Sequence, residues 1–172
     1  MLGNANLGRS SEQVYVNVAT GNLVFRNIDD QLAGVGSMFG STRVYNSLGN
    51  GTHAQAWAIG AALKKVRLEG RLNAAGSTLY RTDEDGSEDA YYYDASMGAY
   101  LNVGAGKARS SLEMEATTGQ YLWKHGGSGQ AERYEGSGAG QILTSTDASG
   151  NTRRFAYGAN GKLASVTDAG AE

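Results

Sequence analysis

The chain has neither cysteine nor proline. Without cysteine there are no disulfide staples and no thiolate metal ligands, so stability must come from packing and backbone hydrogen bonding. Without proline, the work of turning the chain falls to other residues, and a disordered Pro/Gly-rich tract is excluded. Histidine is scarce too. His53 and His125 each sit in a glycine-rich turn with no second histidine at ligand spacing, so no metal site is expected. A strong excess of either charge is missing as well: 15 basic and 17 acidic residues give a formal net charge of -2. No run of lysine or arginine offers a footprint for phosphates, and nucleic acid is not an expected partner. No apolar run reaches the ~20 residues that span a bilayer, and MLGNANLGRSSEQ at the start carries no signal-peptide core.

What the chain does have is glycine, 26 of 172 residues, against an average share of ~7%. These glycines separate short runs in which apolar residues alternate. Val14, Val16 and Val18 alternate with polar or small residues, ATGN (19–22) interrupts, and Leu23, Val24, Phe25 and Ile28 follow, which predicts a hairpin. Asp29, Asp30, Gly34 and Gly36 break the pattern before a strand over Met38–Ser47 and a turn over Leu48–His53. Residues 54–68 fit either element: Trp57, Ile59, Ala61 and Leu63 share a strand face, while the alanines favour a helix, and Gly60 tips the reading toward strand. Further strands are expected over 78–82, 89–94, 98–103, 110–115, 120–124, 130–134, 141–146, 152–157 and 162–168. Strand and turn recurring about every ten residues predict an all-β chain of antiparallel hairpins.

The stretch GNTRRFAYGANGKLASVTD (150–168) repeats what lies 21 residues before it. Gly129 falls on Gly150, Arg133 on Arg154, Tyr134 on Phe155, Gly140 on Gly161, Ile142 on Leu163 and Asp147 on Asp168. A shift of 43 places Gly86 and Tyr91 in register with Gly129 and Tyr134 as an earlier, diverged copy. A period of this size marks an array of supersecondary units, each unable to bury its own apolar face. Phe155 and Tyr157 lie two apart on one strand face, Leu163 anchors the returning strand, and Asp168 is placed to close the following turn with its side chain.

These residues resemble the rearrangement-hotspot (RHS) or YD-repeat family, whose repeat runs close to G-x-x-x-x-(F/Y)-x-Y-D-x-x-G-(R/K)-L. Gly150, Phe155, Tyr157, Gly161, Lys162 and Leu163 occupy those places. Gly158 stands where the family has its aspartate, while Tyr93 and Asp94 do form a YD pair. Residues 13–77 are similar to the segment preceding the repeats in such proteins, through Asn17, Thr20, Gly21, Asn22 and Leu23, then Asp29 and Asp30, then Arg43, Tyr45, Asn46 and Ser47. The expected organisation is a tail (1–12), a pre-repeat β segment (13–77) and YD-like hairpins (78–172) joined to it in one continuous sheet. The resemblance implies a twisted antiparallel sheet that spirals as part of a hollow shell, in extracellular or bacterial cell-surface proteins. The self-cleaving region and toxin that follow RHS shells have no counterpart in these residues.

No chemistry competes with that reading. Asp83 and Asp85 in TDEDGSED suggest a calcium loop, but both anchor positions of an EF-hand fail and an acidic hairpin turn fits better. GSGQ and GSGAG lack the context of a nucleophile elbow, HGGSG has no P-loop lysine, and Glu113 and Glu115 share a solvated strand face. No catalytic, metal or cofactor residue is assigned, and no enzyme is expected. The function expected is a structural scaffold that assembles with itself edge to edge into a filament, or forms part of a larger RHS shell. A carbohydrate-binding or adhesive surface module, with Tyr91, Tyr92 and Tyr93 as stacking rings, is the alternative, and a fragment of a toxin shell around a C-terminal effector is another.

Overall fold

The computed structural model describes residues 2–5, 12–18, 21–32, 39–48, 57–104 and 110–168. Among them are fifteen β-strands and one helical turn. The strands are β1 (Leu2–Ala5), β2 (Glu12–Asn17), β3 (Asn22–Leu32), β4 (Phe39–Asn46), β5 (Trp57–Ile59), β6 (Lys65–Glu69), β7 (Thr78–Thr82), β8 (Glu88–Asp94), β9 (Ala99–Leu101), β10 (Ser110–Glu115), β11 (Gln120–His125), β12 (Gln130–Glu135), β13 (Ile142–Thr146), β14 (Thr152–Tyr157) and β15 (Leu163–Thr167). The turn α1 (Gly60–Leu63) lies between β5 and β6. The fold is all-β and antiparallel, and each strand pairs with its neighbours in sequence.

Two kinds of tight turn make that meander. In the first, four residues link the strands and glycine takes the fourth place, as at 116–119 and 126–129. The N–H of Gly119 is donated to the Glu115 carbonyl at 2.8 Å and that of Gly129 to the His125 carbonyl at 3.0 Å. In the second, a five-residue turn closes on itself: Asp147 N–H donates to Asn151 O and Gly150 N–H to Asp147 O, both at 3.0 Å. The turns at 83–87 and 158–162 have the same pattern, around Gly86 and Gly161. Gly129 has φ +71° and Gly150 φ +88°, backbone that a residue with a Cβ rarely adopts, and the loop lengths are those commonly built around a type I turn.

The strands form two sheets instead of the single continuous one expected: β1 to β5 in order, and β6 to β15 in order. The break falls at α1, where one helical turn redirects the chain, so residues 57–69 are strand, helical turn and strand in succession. Residues 49–56, including most of the expected turn with His53, lie outside the described residues. The expected tail contains β1, paired with β2 from Leu2↔Asn17 to Ala5↔Val14. Nor do Asp29 and Asp30 end a strand. β3 runs on to Leu32 and stays paired with β4 by accommodating a register shift between Ile28 and Asp30. A bulge absorbs the extra residue there, so a polar pair need not stop the ladder.

The chain divides into two compact units, one of Met1–Ala33, Met38–Lys64 and Thr82–Ser87, the other of Gly34–Ser37, Lys65–Arg81 and Glu88–Glu172. In the first, Val24, Val44 and Leu63 form a small core with Tyr15 and Ala58 against it. Gly60 lies under the 83–87 turn, where a Cβ would stand 3.0 Å from the Glu84 carbonyl oxygen. In the second, Leu79, Tyr91, Tyr100, Leu112, Tyr134 and Ile142 are at most 1% exposed. One face of a single sheet reaches such burial only by curling over itself. The curl brings edge strand β6 onto the β12–β13 turn, where Val66 N–H donates to Gly140 O at 2.8 Å beside the bridge Lys65↔Gln141. A single clasp of this kind leaves the sheet rolled, not a closed barrel.

Candidate functional site

The interior of the rolled sheet is not purely apolar. Alternation along β7 and β12 puts Arg81 and Glu132 on the inner face, 4% and 6% exposed. Arg81 donates to Glu132 Oε2 from Nε at 3.0 Å and from a terminal nitrogen at 2.7 Å, and its Nε also reaches the Tyr134 hydroxyl at 2.9 Å. The Tyr134 hydroxyl donates to the same carboxylate. The guanidinium lies 4.2 Å from the centre of the Trp123 ring, whose Nε1 donates to the Tyr91 hydroxyl at 2.8 Å, and that hydroxyl meets Ser110 Oγ at 3.2 Å. Six side chains from β7, β8, β10, β11 and β12 are thus tied together across the interior. Buried charge is tolerable only when so fully partnered. Tyr100 closes the nearby connection, its hydroxyl accepting from Asn73 N at 2.7 Å and meeting Ser77 Oγ at 3.0 Å.

The two edges of this sheet differ. β6, KVRLE, alternates charge along the edge and is further occupied by Gly140 and Gln141. β15, LASVT, carries no charge, and no strand lies beyond it among the described residues. Ala164, Ser165 and Thr167 are exposed and Leu163 and Val166 half-buried. Natural sheets blunt their edges with charges, proline or a covering segment; β6 has such protection, while β15 has none among the described residues.

The repeat signature falls where the chain needs it. Gly129, Gly140, Gly150 and Gly161 all occupy turns at positive φ. Tyr134 and Ile142 are fully buried, and Phe155 packs on the same core. The 21-residue register hides one difference, since Gly129 closes a four-residue turn and Gly150 a five-residue one. Asp147 Oδ1 accepts from the amides of Ser149 at 2.9 Å and Asn151 at 3.0 Å. Asp94, of the YD pair, accepts likewise from Ser96 N at 2.8 Å, and hydrogen bonds from Ser96 and Met97 hold its carboxyl below the usual range. Asp168 lies 3.8 Å from Arg153. Leu163 pairs with Tyr157, whose hydroxyl donates to Ile142 O at 2.9 Å.

Burial pushes the Tyr157 phenol up to about 12, with Glu135 adding to the shift. A phenol that ionises near 10 when unfolded and higher when folded contributes stability that is intact below pH ~10 and drains away as pH rises through 12. Alkaline unfolding followed by near-UV absorbance is expected to show this loss between those values, and Tyr157→Phe to remove its steepest part.

Tyr91, Tyr92 and Tyr93 do not form one surface. Successive strand residues face opposite ways, so Tyr91 is 1% exposed and Tyr93 packs against Tyr100 with ring centres 5.1 Å apart, while Tyr92 alone turns outward at 49% exposure. Its neighbour Tyr80 lies under the Arg67 guanidinium at 3.7 Å. Glu113 pairs with Lys124 and Glu115 with Arg133, the latter bond holding the Glu115 carboxyl below its usual range. In the acidic turn the carboxylates of Asp83 and Asp85 accept from Glu84 N and Ser87 N. His125 Nδ1 accepts from Ser128 N. No group of three or more His, Asp or Glu side chains placed to hold a metal ion occurs among the described residues.

Motif residues in the first unit, scattered in sequence, meet in space. Ser47 Oγ accepts from Leu23 N at 2.8 Å and donates to Asn22 Oδ1 at 3.1 Å, Arg43 pairs with Asp29, and Phe25 packs on Tyr45. Sequence reasoning had no signal for the Arg81–Glu132 pair, whose members stand 51 residues apart.

Residues 137–172 match the RHS Repeat family model, a stretch that takes in the Gly140 clasp and β13 to β15. Proteins with this repeat are typically structural and found at the cell surface or outside the cell. No curated protein matches the chain. No helix among the described residues is long and apolar enough to cross a membrane.

Proposed function

We propose that this chain, whose residues 137–172 form an RHS repeat, is a non-catalytic β-scaffold that grows by adding an antiparallel strand at β15. The observation that carries this reading is the asymmetry of the ten-stranded sheet, charged and clasped at β6, neutral and, among the described residues, unpaired at β15. A strand added there comes from a second copy or from further repeats of a larger RHS shell. Between copies, β15 meeting a different edge of its neighbour is a heterologous contact, and such contacts propagate into a filament when they do not close into a ring.

Sedimentation velocity over a rising concentration series, with negative-stain microscopy, tests the assembly. Wild-type chain is expected to form concentration-dependent polymers. The double variant Ser165→Lys, Thr167→Lys places charge on two exposed edge positions and is expected to remain monomeric with an unchanged circular dichroism spectrum. A β-hairpin peptide of residues 142–157 added in trans is expected to slow amide exchange in β15 under either source of the added strand. Wild-type chain that neither polymerises nor gains protection from the peptide would sink the proposal.

A further inference from the structure

The outer side of β15 has a precedent inside its own sheet, in the strand one repeat earlier. β13 and β15 carry the same irregularity: the register shifts against β12 between Arg133 and Tyr134 and against β14 between Ala156 and Tyr157, which leaves Leu143 and Ala164 as the extra residues. The shift sets Leu163 opposite Tyr157 and Val166 opposite Phe155, so both apolar side chains of β15 share the face on which Phe155 meets the core. Past its bulge β13 runs regularly, and there its other side accepts a plain strand: Thr144 pairs with Arg154, Ser145 with Arg153 and Thr146 with Thr152. The equivalents of those three residues in β15 are Ser165, Val166 and Thr167. Two are exposed and one half-buried, with no strand beyond them among the described residues.

The other edge of the same sheet matches this one. Directions alternate across its ten strands, so β6 and β15 run opposite ways. A second copy displaced within the plane of the sheet therefore brings its β6 antiparallel to β15, with the two inner faces on the same side; an odd number of strands would make that contact parallel. Both strands are five residues long. Val66 and Leu68 lie two apart on the inner side of β6, as Phe155 and Tyr157 do on β14. The clasp engages only the start of β6. Val66 N–H bonds Gly140 O, whereas Leu68, whose backbone groups point to the same side two residues on, has no backbone partner there among the described residues.

Resting on the reading of β15 as the growing edge, we infer that the strand it takes is β6 of a second copy, with Val166 opposite Leu68, Ser165 opposite Glu69 and Thr167 opposite Arg67. The apolar pair then continues the inner face from one copy to the next. On the outer face Arg67 already pairs with Glu88 and Glu69, and neutral serine and threonine opposite them leave those ion pairs intact. Growth also selects this partner, because β15 against β15, or β6 against β6, closes a two-fold dimer and stops. The five-stranded sheet offers less. β5 is three residues long and passes directly into α1, and β1, LGNA, has no face with two large apolar residues. Three paired residues bury far less than the ~800 Å² per partner of a standard interface, so a single contact is weak and assembly appears only at high concentration.

A chain without cysteine makes this register directly readable. A Ser165→Cys chain and a Glu69→Cys chain, each altered at an exposed position, are mixed at high concentration and oxidised. Directly opposite residues stand about 4.5–5.5 Å apart between Cβ atoms, close to the reach of a disulfide. A covalent dimer on a non-reducing gel is expected to form several times faster from the mixture than from either chain alone. Thr167→Cys with Arg67→Cys repeats the test at the other outward pair, circular dichroism checks that each chain is folded, and either pair carries the result should a member of the other unfold. Ser165→Cys with Ile59→Cys, on β5, is expected to link no faster than background. Ser165→Cys chains that link to one another as readily as to Glu69→Cys chains, equal linking to Ile59→Cys, or no mixed dimer from either pair would overturn the assignment of β6. Protection of β15 by the added hairpin peptide does not involve β6, so a chain that gains that protection and fails here loses its partner edge and not its growing edge.

Discussion

Glu132→Ala is expected to cost about 3–5 kcal/mol, seen as a lower urea midpoint at unchanged slope. The reason is the partner it leaves behind. Arg81 is 4% exposed and donates two hydrogen bonds to the Glu132 carboxylate and one to the Tyr134 hydroxyl. A guanidinium does not shed its proton at accessible pH, so a buried Arg81 that loses the Glu132 carboxylate has to draw water into the core or swing out past Trp123. Replacing both members with apolar residues of similar volume, Arg81→Met with Glu132→Leu, is expected to recover most of the loss, because the cost lies in keeping a buried charge that has lost its carboxylate and not in the missing attraction. A double variant as unstable as Glu132→Ala would mean that the pair does more than balance itself.

The second large effect is expected at Gly140. Its φ is +65°, and a Cβ there would lie 1.9 Å from the Val66 carbonyl oxygen and 3.0 Å from the Val66 carbonyl carbon. Backbone cannot yield as a flexible side chain does, so Gly140→Ala is expected to part the clasp. The cost is about 2–4 kcal/mol, combining left-handed strain with the lost contact. Amide exchange should localise it, since the Val66 N–H now bonded to Gly140 O would exchange orders of magnitude faster while β10 and β11 stay protected. Gly150→Ala is the control: φ is +88° but nothing lies within 4 Å, so only the strain of about 1–2 kcal/mol remains. Equal losses at the two positions would show that Gly140 is a turn residue and no more.

Much of this fold was legible residue by residue. The predicted strand over 152–157 is β14, and those over 110–115 and 78–82 are β10 and β7, because alternation has a period of two and glycine marks where it stops. The turn glycines were readable for the same reason. Residues 57–69 were ambiguous because they are mixed: Trp57–Ile59 and Lys65–Glu69 are extended while Gly60–Leu63 complete one helical turn, too short for any period to show. The end of β3 was misplaced at Asp29, since local composition reports a preference for turns but not a partner strand able to absorb a bulge. Tyr91 to Tyr93 show a different limit. Three consecutive rings put aromatics on both faces, and sequence does not say which face is inside.

By itself the amino-acid sequence determined the element type, the meander and the places where it turns, since backbone period and the permissiveness of glycine are local properties. Tertiary structure alone decided which face of each ribbon is buried, that the second sheet rolls until Val66 meets Gly140, and that Arg81 finds Glu132. It also decided which aromatic rings stay in contact with water. Those outcomes depend on strands far apart in the chain being brought together, and no local pattern encodes the radius at which a sheet curls.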